Sequence, residues 1–361
     1  MKTLCLILIF QFLFSFGLFS QEYIFYGKEK FTINGTSFSE AEKENSYNRL
    51  RTKDKSSVRA ELWALSKNSS GISVGFETNS SIIKVRWKLS TGFRMSHMAK
   101  TGIGGVDLYC KVDTFWQYVN TGKPEKLENI QTLVEGMTKE KRVFILNLPL
   151  YDGVEILEIG IDKEAEIKPY KAFEGKPIVF YGTSITQGGC ASRPGMAYTN
   201  IISRKTGKEC INFGFSGNGR MEPELAEIIS EIDAEFFVID CIANMKAPQV
   251  KENTEKLIRI IRQKHPKTPI IFIESLIYEN GFFNSSRKEN IDEKNRILYE
   301  EVRRVASLNG DSLIFYIDNK EFLGNDHEAT VDGTHFTDLG FMRFSEFLIK
   351  KFKEFGLLGF T

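Results

Sequence analysis

The feature that most constrains this chain is a change of hydrophobic rhythm near residue 170. Before it, apolar and polar residues alternate. Ile72, Val74 and Phe76 keep a period of two, as do Ile83, Val85, Trp87 and Leu89. Val106, Leu108 and Cys110 follow, then Trp116 and Tyr118, and two longer runs, 143–148 and 154–161, flank a Tyr151-Asp152-Gly153 turn. A period of two puts every second side chain on one face of a strand, so this half predicts an antiparallel all-β sandwich of jelly-roll type. After residue 176 the rhythm becomes β-α. Short apolar runs at 177–181, 210–213, 236–241, 270–275 and 313–316 alternate with helical stretches near 197–205, 222–231, 250–264, 289–308 and 338–355. Strands alternating with helices predict a parallel sheet covered on both faces. The expected organisation is a β-sandwich over 21–165, a charged linker over 166–176 containing Pro169 and Gly175, and an α/β domain over 177–361.

The first twenty residues stand outside both domains. Lys2 is followed by an almost wholly apolar stretch, Leu4 to Phe19, and then Ser20-Gln21. That order predicts a secretory signal peptide cut near Ser20 and a secreted or periplasmic protein, with no stable membrane insertion after cleavage. Leu18 is bulkier than the usual residue three before a cut, and Cys5 lies too early to carry a lipid. An uncleaved anchor is the alternative, but the run is short for a spanning helix. Removing Lys2 takes the formal net charge from +1 to 0. A neutral chain offers neither a basic groove for nucleic acid nor a polybasic membrane patch. Cys110, Cys190, Cys210 and Cys241 remain, with no C-x-x-C pair and no His/Cys cluster in sequence, so no structural metal is expected. Export permits disulfides, but buried free thiols are the default for domains of this size.

Chemistry points to the stretch Ile178–Gly188, IVFYGTSITQG. Pro177 opens a buried strand and Gly182 closes it, leaving Ser184 just past its carboxyl end, where open α/β sheets place ligands. Taken alone, the serine reads equally as a helix N-cap. A nucleophilic serine requires a base, an acid to orient the base, and donors for the developing oxyanion. Of four histidines, His97 falls in the sandwich sequence, His265 precedes Pro266 at a helix end, and His327 sits among Asn325, Asp326 and Glu328. His335 has an acid, Asp332, three residues earlier across Gly333, just before the last helix. Two further groups follow strands: Asn212-Phe213-Gly214-Phe215-Ser216-Gly217-Asn218, and Asp240-Cys241-Ile242-Ala243-Asn244. Gly217 alone is an ordinary turn glycine and Asn244 an ordinary cap. All four groups nevertheless fall at one edge of one expected sheet.

Over roughly residues 176–355 these blocks resemble the SGNH (GDSL-like) hydrolase family. The resemblance implies a flavodoxin-like three-layer α/β/α fold, a nucleophile at Ser184, and Asp332 and His335 completing a triad. It also implies an oxyanion hole from Ser184, Gly217 and Asn244, and no metal or organic cofactor. Thr183 stands where the family carries an acid, and Ile242-Ala243-Asn244-Met245 keeps only the asparagine of the usual G-x-N-D. Thr186 replaces the second glycine of a G-x-S-x-G elbow, which argues against the α/β-hydrolase fold built on that elbow. Gly105-Val106-Asp107-Leu108-Tyr109 is similar to the G-x-D-L-Y signature of a β-rich domain that precedes a set of SGNH hydrolases of carbohydrate-esterase type. The expected activity is therefore a serine esterase that removes short acyl groups, acetyl first, from an acetylated polysaccharide or oligosaccharide. Arg193, just past the nucleophile, reads either as a substrate contact or as a surface arginine. A lipase, lysophospholipase or thioesterase on the same scaffold is the nearest alternative. A non-catalytic glycan-binding protein is the other, and a decayed site would have no need to retain Ser184, Asp332 and His335.

Overall fold

The computed structural model describes residues 22–92 and 95–359, so the expected signal peptide lies outside the described residues. Two antiparallel sheets form first along the chain. β1 (Tyr23–Tyr26), β4 (Ile83–Leu89), β7 (Glu128–Val134) and β9 (Val154–Asp162) make one, in the order β1-β9-β4-β7. The other runs β10-β3-β8-β5-β6, with β2 (Thr32–Asn34) beside β3. Its members are β3 (Ser73–Thr78), β5 (Val106–Val112), β6 (Phe115–Gly122), β8 (Arg142–Asn147) and β10 (Ile167–Pro169). Alternation directs the packing. Ile83, Val85, Trp87 and Leu89 of β4 are buried while Lys84, Arg86 and Lys88 lie partly in solvent. They meet Val74 and Phe76 of β3, Leu108 of β5 and Phe144 and Leu146 of β8 in a single core. Each such side chain contributes roughly 1.5–3 kcal/mol by leaving water. A one-residue slip would turn the Trp87 face outward, so the burial also fixes the register. Residues 167–169, in the stretch read as a linker, instead pair with Phe76–Thr78 as the edge strand β10.

The second half forms a five-stranded parallel sheet from β11 (Ile178–Gly182), β12 (Cys210–Gly214), β13 (Phe236–Asp240), β14 (Ile270–Ile273) and β15 (Ile314–Ile317). Its order, β12-β11-β13-β14-β15, is the 2-1-3-4-5 arrangement of flavodoxin-like sheets. β11 to β14 are buried along their whole length, as strands covered on both faces must be. Two short helices precede this domain, α1 (Ala60–Leu65) and α2 (Lys100–Ile103), and α3 (Ser184–Gln187) follows β11. α4 (Tyr198–Thr206) and α8 (Asp338–Glu354) pack on one face of the sheet through Ile201, Phe344 and Leu348. On the other face lie α5 (Pro223–Ile229), α6 (Ala247–Lys264) and α7 (Ser285–Asn309), through Leu225, Leu257 and Leu298. The result is three layers. α7 begins four residues before the expected start because Asn284 caps it, accepting from the Arg287 N–H at 3.1 Å.

The two halves share their cores. Phe38 and Leu50, from the irregular chain before β3, and Leu62 of α1 pack in the same cluster as α5 to α7. Met98, Ile103 and Leu150 join the cluster under α4 and α8. Arg49 is buried in the seam, donating to the Asn212, Gly214 and Leu65 carbonyls with its guanidinium 4.6 Å from the Phe215 ring centre. Cys190, Cys210 and Cys241 are buried free thiols and Cys110 is a partly exposed one. No helix among the described residues is long and apolar enough to cross a membrane.

Candidate active site

β11 delivers the chain to the site through a turn that requires glycine. A Cβ on Gly182 would stand 1.9 Å from Thr186 Oγ1 and 2.8 Å from the Asp240 carbonyl. Thr183, rather than the serine, caps α3, its hydroxyl accepting from the Ile185 N–H at 3.4 Å. Ser184 is thus the first helical residue, and its Oγ is left for other partners. His335 Nε2 lies 2.9 Å from that oxygen, and His335 Nδ1 lies 2.8 Å from Asp332 Oδ2. With Nδ1–H donating to the carboxylate, Nε2 is the lone-pair nitrogen that faces the hydroxyl. Asp332 Oδ1 meanwhile accepts the N–H groups of Thr334 at 3.1 Å and His335 at 2.8 Å. Partial burial pushes the Asp332 carboxyl up, but the backbone N–H and ring of His335 outweigh it and hold it below the usual aspartate value. The loop closes on itself: Val331 N–H donates to the His335 carbonyl at 2.8 Å and Thr337 N–H to Ala329 at 2.9 Å.

The loop after β12 packs against the serine turn, with Phe215 N–H on the Gly182 carbonyl at 3.0 Å and Ser216 N–H on Gln187 Oε1 at 2.9 Å. Gly217 takes a positive φ of 67° at its outer edge, with open space where a Cβ would stand. Asn244 closes a single 3₁₀ turn, Ile242–Asn244, after β13, and its amide donates to the Asn218 carbonyl. An amide has two N–H groups, so one remains for another acceptor. The structure thus joins Ser184, His335 and Asp332 directly and ties the Gly217 and Asn244 loops to each other beside them.

Beneath α3 is a buried polar group. Thr186 Oγ1 donates to Asp240 Oδ2 at 3.0 Å and accepts from the Tyr198 hydroxyl at 3.0 Å. Burial pushes the Asp240 carboxyl up to about 7, against the opposing pull of those two hydroxyls.

The sandwich grips the same turn from the other side. Asp107, the acid of the Gly105–Tyr109 stretch, is fully buried. It accepts from Asn147 Nδ2 at 2.9 Å, the Gly195 N–H at 2.9 Å and Arg193 Nη1 at 2.6 Å. Arg193 therefore lies in the seam between the domains, bonded also to the Tyr109 hydroxyl and 4.0 Å from the centre of the Tyr118 ring. Neither sequence alternative for this arginine, substrate contact or surface residue, included an interdomain tie. Gln187, buried, donates to the Leu150 carbonyl at 3.0 Å, and the Tyr151 hydroxyl reaches the Ser184 carbonyl at 3.3 Å. His97 brings its ring to 5.6 Å from that of His335, centre to centre. The Cys190 thiol, on a backbone with φ of 71°, donates to the His97 carbonyl at 3.4 Å. Burial, with the Asp332 charge adding, pushes that thiol up to about 12. Sequence reasoning set His97 aside because of its domain and did not single out Gln187 or Tyr151. Their only signal is position, Gln187 at the end of the strand-turn motif and Tyr151 in the turn between the 143–148 and 154–161 runs.

Comparison with known proteins places both halves of the chain in described families. A family model described as the GDSL-like Lipase/Acylhydrolase family matches residues 175–353. A second, GxDLY, described as the N-terminus of Esterase_SGNH_hydro-type, matches residues 22–167. The chain is similar to a Bacteroides ovatus ATCC 8483 protein assigned as a GDSL-like lipase, at 36% identity and a TM-score of 0.90, over 94% of this chain and 100% of that one. A salicylyl-acyltransferase from a tetracycline biosynthetic pathway shares the fold at 16% identity and a TM-score of 0.70, covering 92% and 98%. So does an acetyl xylan esterase from the rumen bacterium Butyrivibrio proteoclasticus, at 11% identity and a TM-score of 0.58, covering 93% and 100%. No protein of curated function matches the sequence.

Proposed function

The chain belongs to the GDSL-like lipase/acylhydrolase family and is a carboxylic ester hydrolase; from that premise we propose that it is a secreted serine esterase removing short acyl groups, acetyl first, from a polysaccharide. The observation that carries this reading is the continuous relay from Asp332 Oδ2 through both ring nitrogens of His335 to Ser184 Oγ, with steps of 2.8 and 2.9 Å. Those are the distances at which a proton can move along the path as a bond forms at the other end. Ser184 Oγ attacks the acyl carbonyl while its proton passes to His335 Nε2, and the imidazolium then gives that proton to the departing sugar hydroxyl. Water enters, loses a proton to the same nitrogen, and hydrolyses the acyl-serine, which releases the acid and restores the hydroxyl. Asp332, held anionic by the groups around it, keeps the ring in the tautomer that accepts at Nε2. The Ser184 and Gly217 N–H groups and the second N–H of Asn244 receive the oxyanion, and a donor in such a position typically contributes about 2.7–4 kcal/mol to the transition state.

Support for a glycan substrate is of a different kind. The apolar leader at 4–19 suits export to where polysaccharides lie. The GxDLY-type domain touches the nucleophile turn through Leu150 and Tyr151 and holds the segment after it through Asp107, and the acetyl xylan esterase above shares the two-part fold. The test is acyl-chain preference together with product release. The enzyme hydrolyses 4-nitrophenyl acetate faster than the octanoate and frees acetate from acetylated xylan or a related polymer. A clear preference for octanoate with no acetate freed from any acetylated glycan contradicts the reading and favours lipase or thioesterase chemistry.

A further inference from the structure

Beside the nucleophile, three side chains from three separate parts of the fold converge. One ligand atom each from His97, Cys190 and His335 falls within 4.8 Å of the others. The imidazole planes of His97 and His335 are inclined at 41°, and the Cys190 thiol points to the His97 carbonyl. No helical or strand spacing brings these together; the sandwich carries His97 across to a turn of the α/β domain. Cys190 is held there in a left-handed backbone conformation that a non-glycine residue adopts only when its surroundings impose it.

Two imidazoles and a thiol form the donor set preferred by Zn²⁺, which takes four ligands in a tetrahedron. Zinc–nitrogen bonds of about 2.0–2.1 Å and a zinc–sulfur bond of about 2.3 Å put ligand atoms roughly 3.3–3.8 Å apart. The present spacing, within 4.8 Å, is about 1 Å from that range, and His97, which is exposed, is free of a tight core that would resist the shift. Cys190 is buried, His335 half-buried and His97 exposed, so the cluster runs from the interior to the surface. The second sphere is also in place. His335 gives Nδ1 to Asp332 at 2.8 Å, and a carboxylate on the far nitrogen is what fixes and strengthens a zinc-bound imidazole. The pair that readies a base for Ser184 is therefore equally a prepared zinc ligand.

We propose that His97, Cys190 and His335 form a reversible inhibitory site for Zn²⁺. The metal takes the Nε2 lone pair that would otherwise accept the Ser184 proton. His97 supplies a second nitrogen, the Cys190 thiol gives its proton to solvent as its sulfur binds, Zn²⁺ sheds the waters that the three ligands replace, and the His335–Ser184 hydrogen bond is given up. Inhibition rests on reading His335 as the general base; zinc binding does not.

The full chain, stripped with chelator, is assayed on 4-nitrophenyl acetate across a ZnCl₂ series, with MgCl₂ as the hard-cation control. Zn²⁺ inhibits, EDTA restores the rate, and Mg²⁺ has no effect. His97→Ala and Cys190→Ala keep basal hydrolysis, and each raises the zinc concentration for half-inhibition by about tenfold or more, the least that losing even a supporting group of a metal site usually costs. Calorimetry of Zn²⁺ binding to Ser184→Ala, which has no esterase activity to lose, shows one site that His97→Ala weakens to the same degree. Equal zinc sensitivity in wild type and both variants, stimulation by zinc, or no zinc binding to Ser184→Ala overturns the site. If no ester is hydrolysed at all, calorimetry still decides the site while the esterase reading fails.

Discussion

The serine and the histidine of this site are held in opposite ways. Residues 178–191 are buried without a break, and Ser184 itself is 9% exposed. That turn is fixed by contacts from distant chain, Leu150 and Tyr151 of the sandwich and the 215–216 loop beyond β12, and the segment just past it is held by Asp107 at Arg193 and the Gly195 N–H. The histidine loop lies in the open, with the side chains of Asp332 and His335 35% and 21% exposed. Most of its own bonds span only a few residues, as in Asp332 to the N–H groups of 334 and 335. A rigid nucleophile set by two domains therefore faces a base on a self-contained loop. Changes on the serine side should cost stability, whereas changes on the histidine side should cost little beyond the chemistry.

The sharpest way to break that contrast is at Asp107. Asp107→Ala leaves Arg193 and the Gly195 N–H without their buried acceptor, and removing one partner of a buried pair typically costs about 3–5 kcal/mol. Arg343→Ala severs the solvent-screened Arg343–Asp326 pair beside the histidine loop and should leave the denaturation midpoint almost unchanged. Urea denaturation of both variants decides it, and equal losses would end the contrast. Asn244→Ala comes next. Its kcat should fall by roughly 10²–10³-fold with little change in KM, and an unchanged kcat would remove Asn244 from the oxyanion hole.

A dependence on pH is expected at Asp240. Its folded-state pKa is raised, to about 7, above an unfolded value of about 3.9. The stability this provides is complete below about pH 4 and is lost as pH rises through 7. Asp240→Asn should flatten that decline, as read from melting temperatures between about pH 5 and 8. An unaltered slope would assign the decline to other groups.

Legibility followed the same division in part. The strand-to-serine turn is visible because a buried parallel strand leaves a continuous apolar run, and Asp332 and His335 are visible because their partnership spans three residues. The sandwich is visible wherever one face is buried, as along β4. Long-range polar pairing left no periodic trace. Arg193 pairs with Asp107 across 86 residues, and His97 meets His335 with no local pattern to announce it. Phe38 and Leu50 fill part of the α/β core from irregular chain, and Leu62 from a helix of six residues, too short or too irregular for a period to distinguish an inward side chain from an outward one. β10 was hidden because three residues between charges carry too little alternation to read as a strand.

Every step of the proposed reaction depends on Ser184 as a nucleophile activated by His335. The decisive measurement is the steady-state rate of 4-nitrophenyl acetate hydrolysis by Ser184→Ala, beside a melting curve that matches wild type. Loss of the nucleophile of a triad typically lowers kcat by a factor on the order of 10⁶, so the folded variant should be inactive. A folded Ser184→Ala that hydrolyses the ester at the wild-type rate would contradict the account.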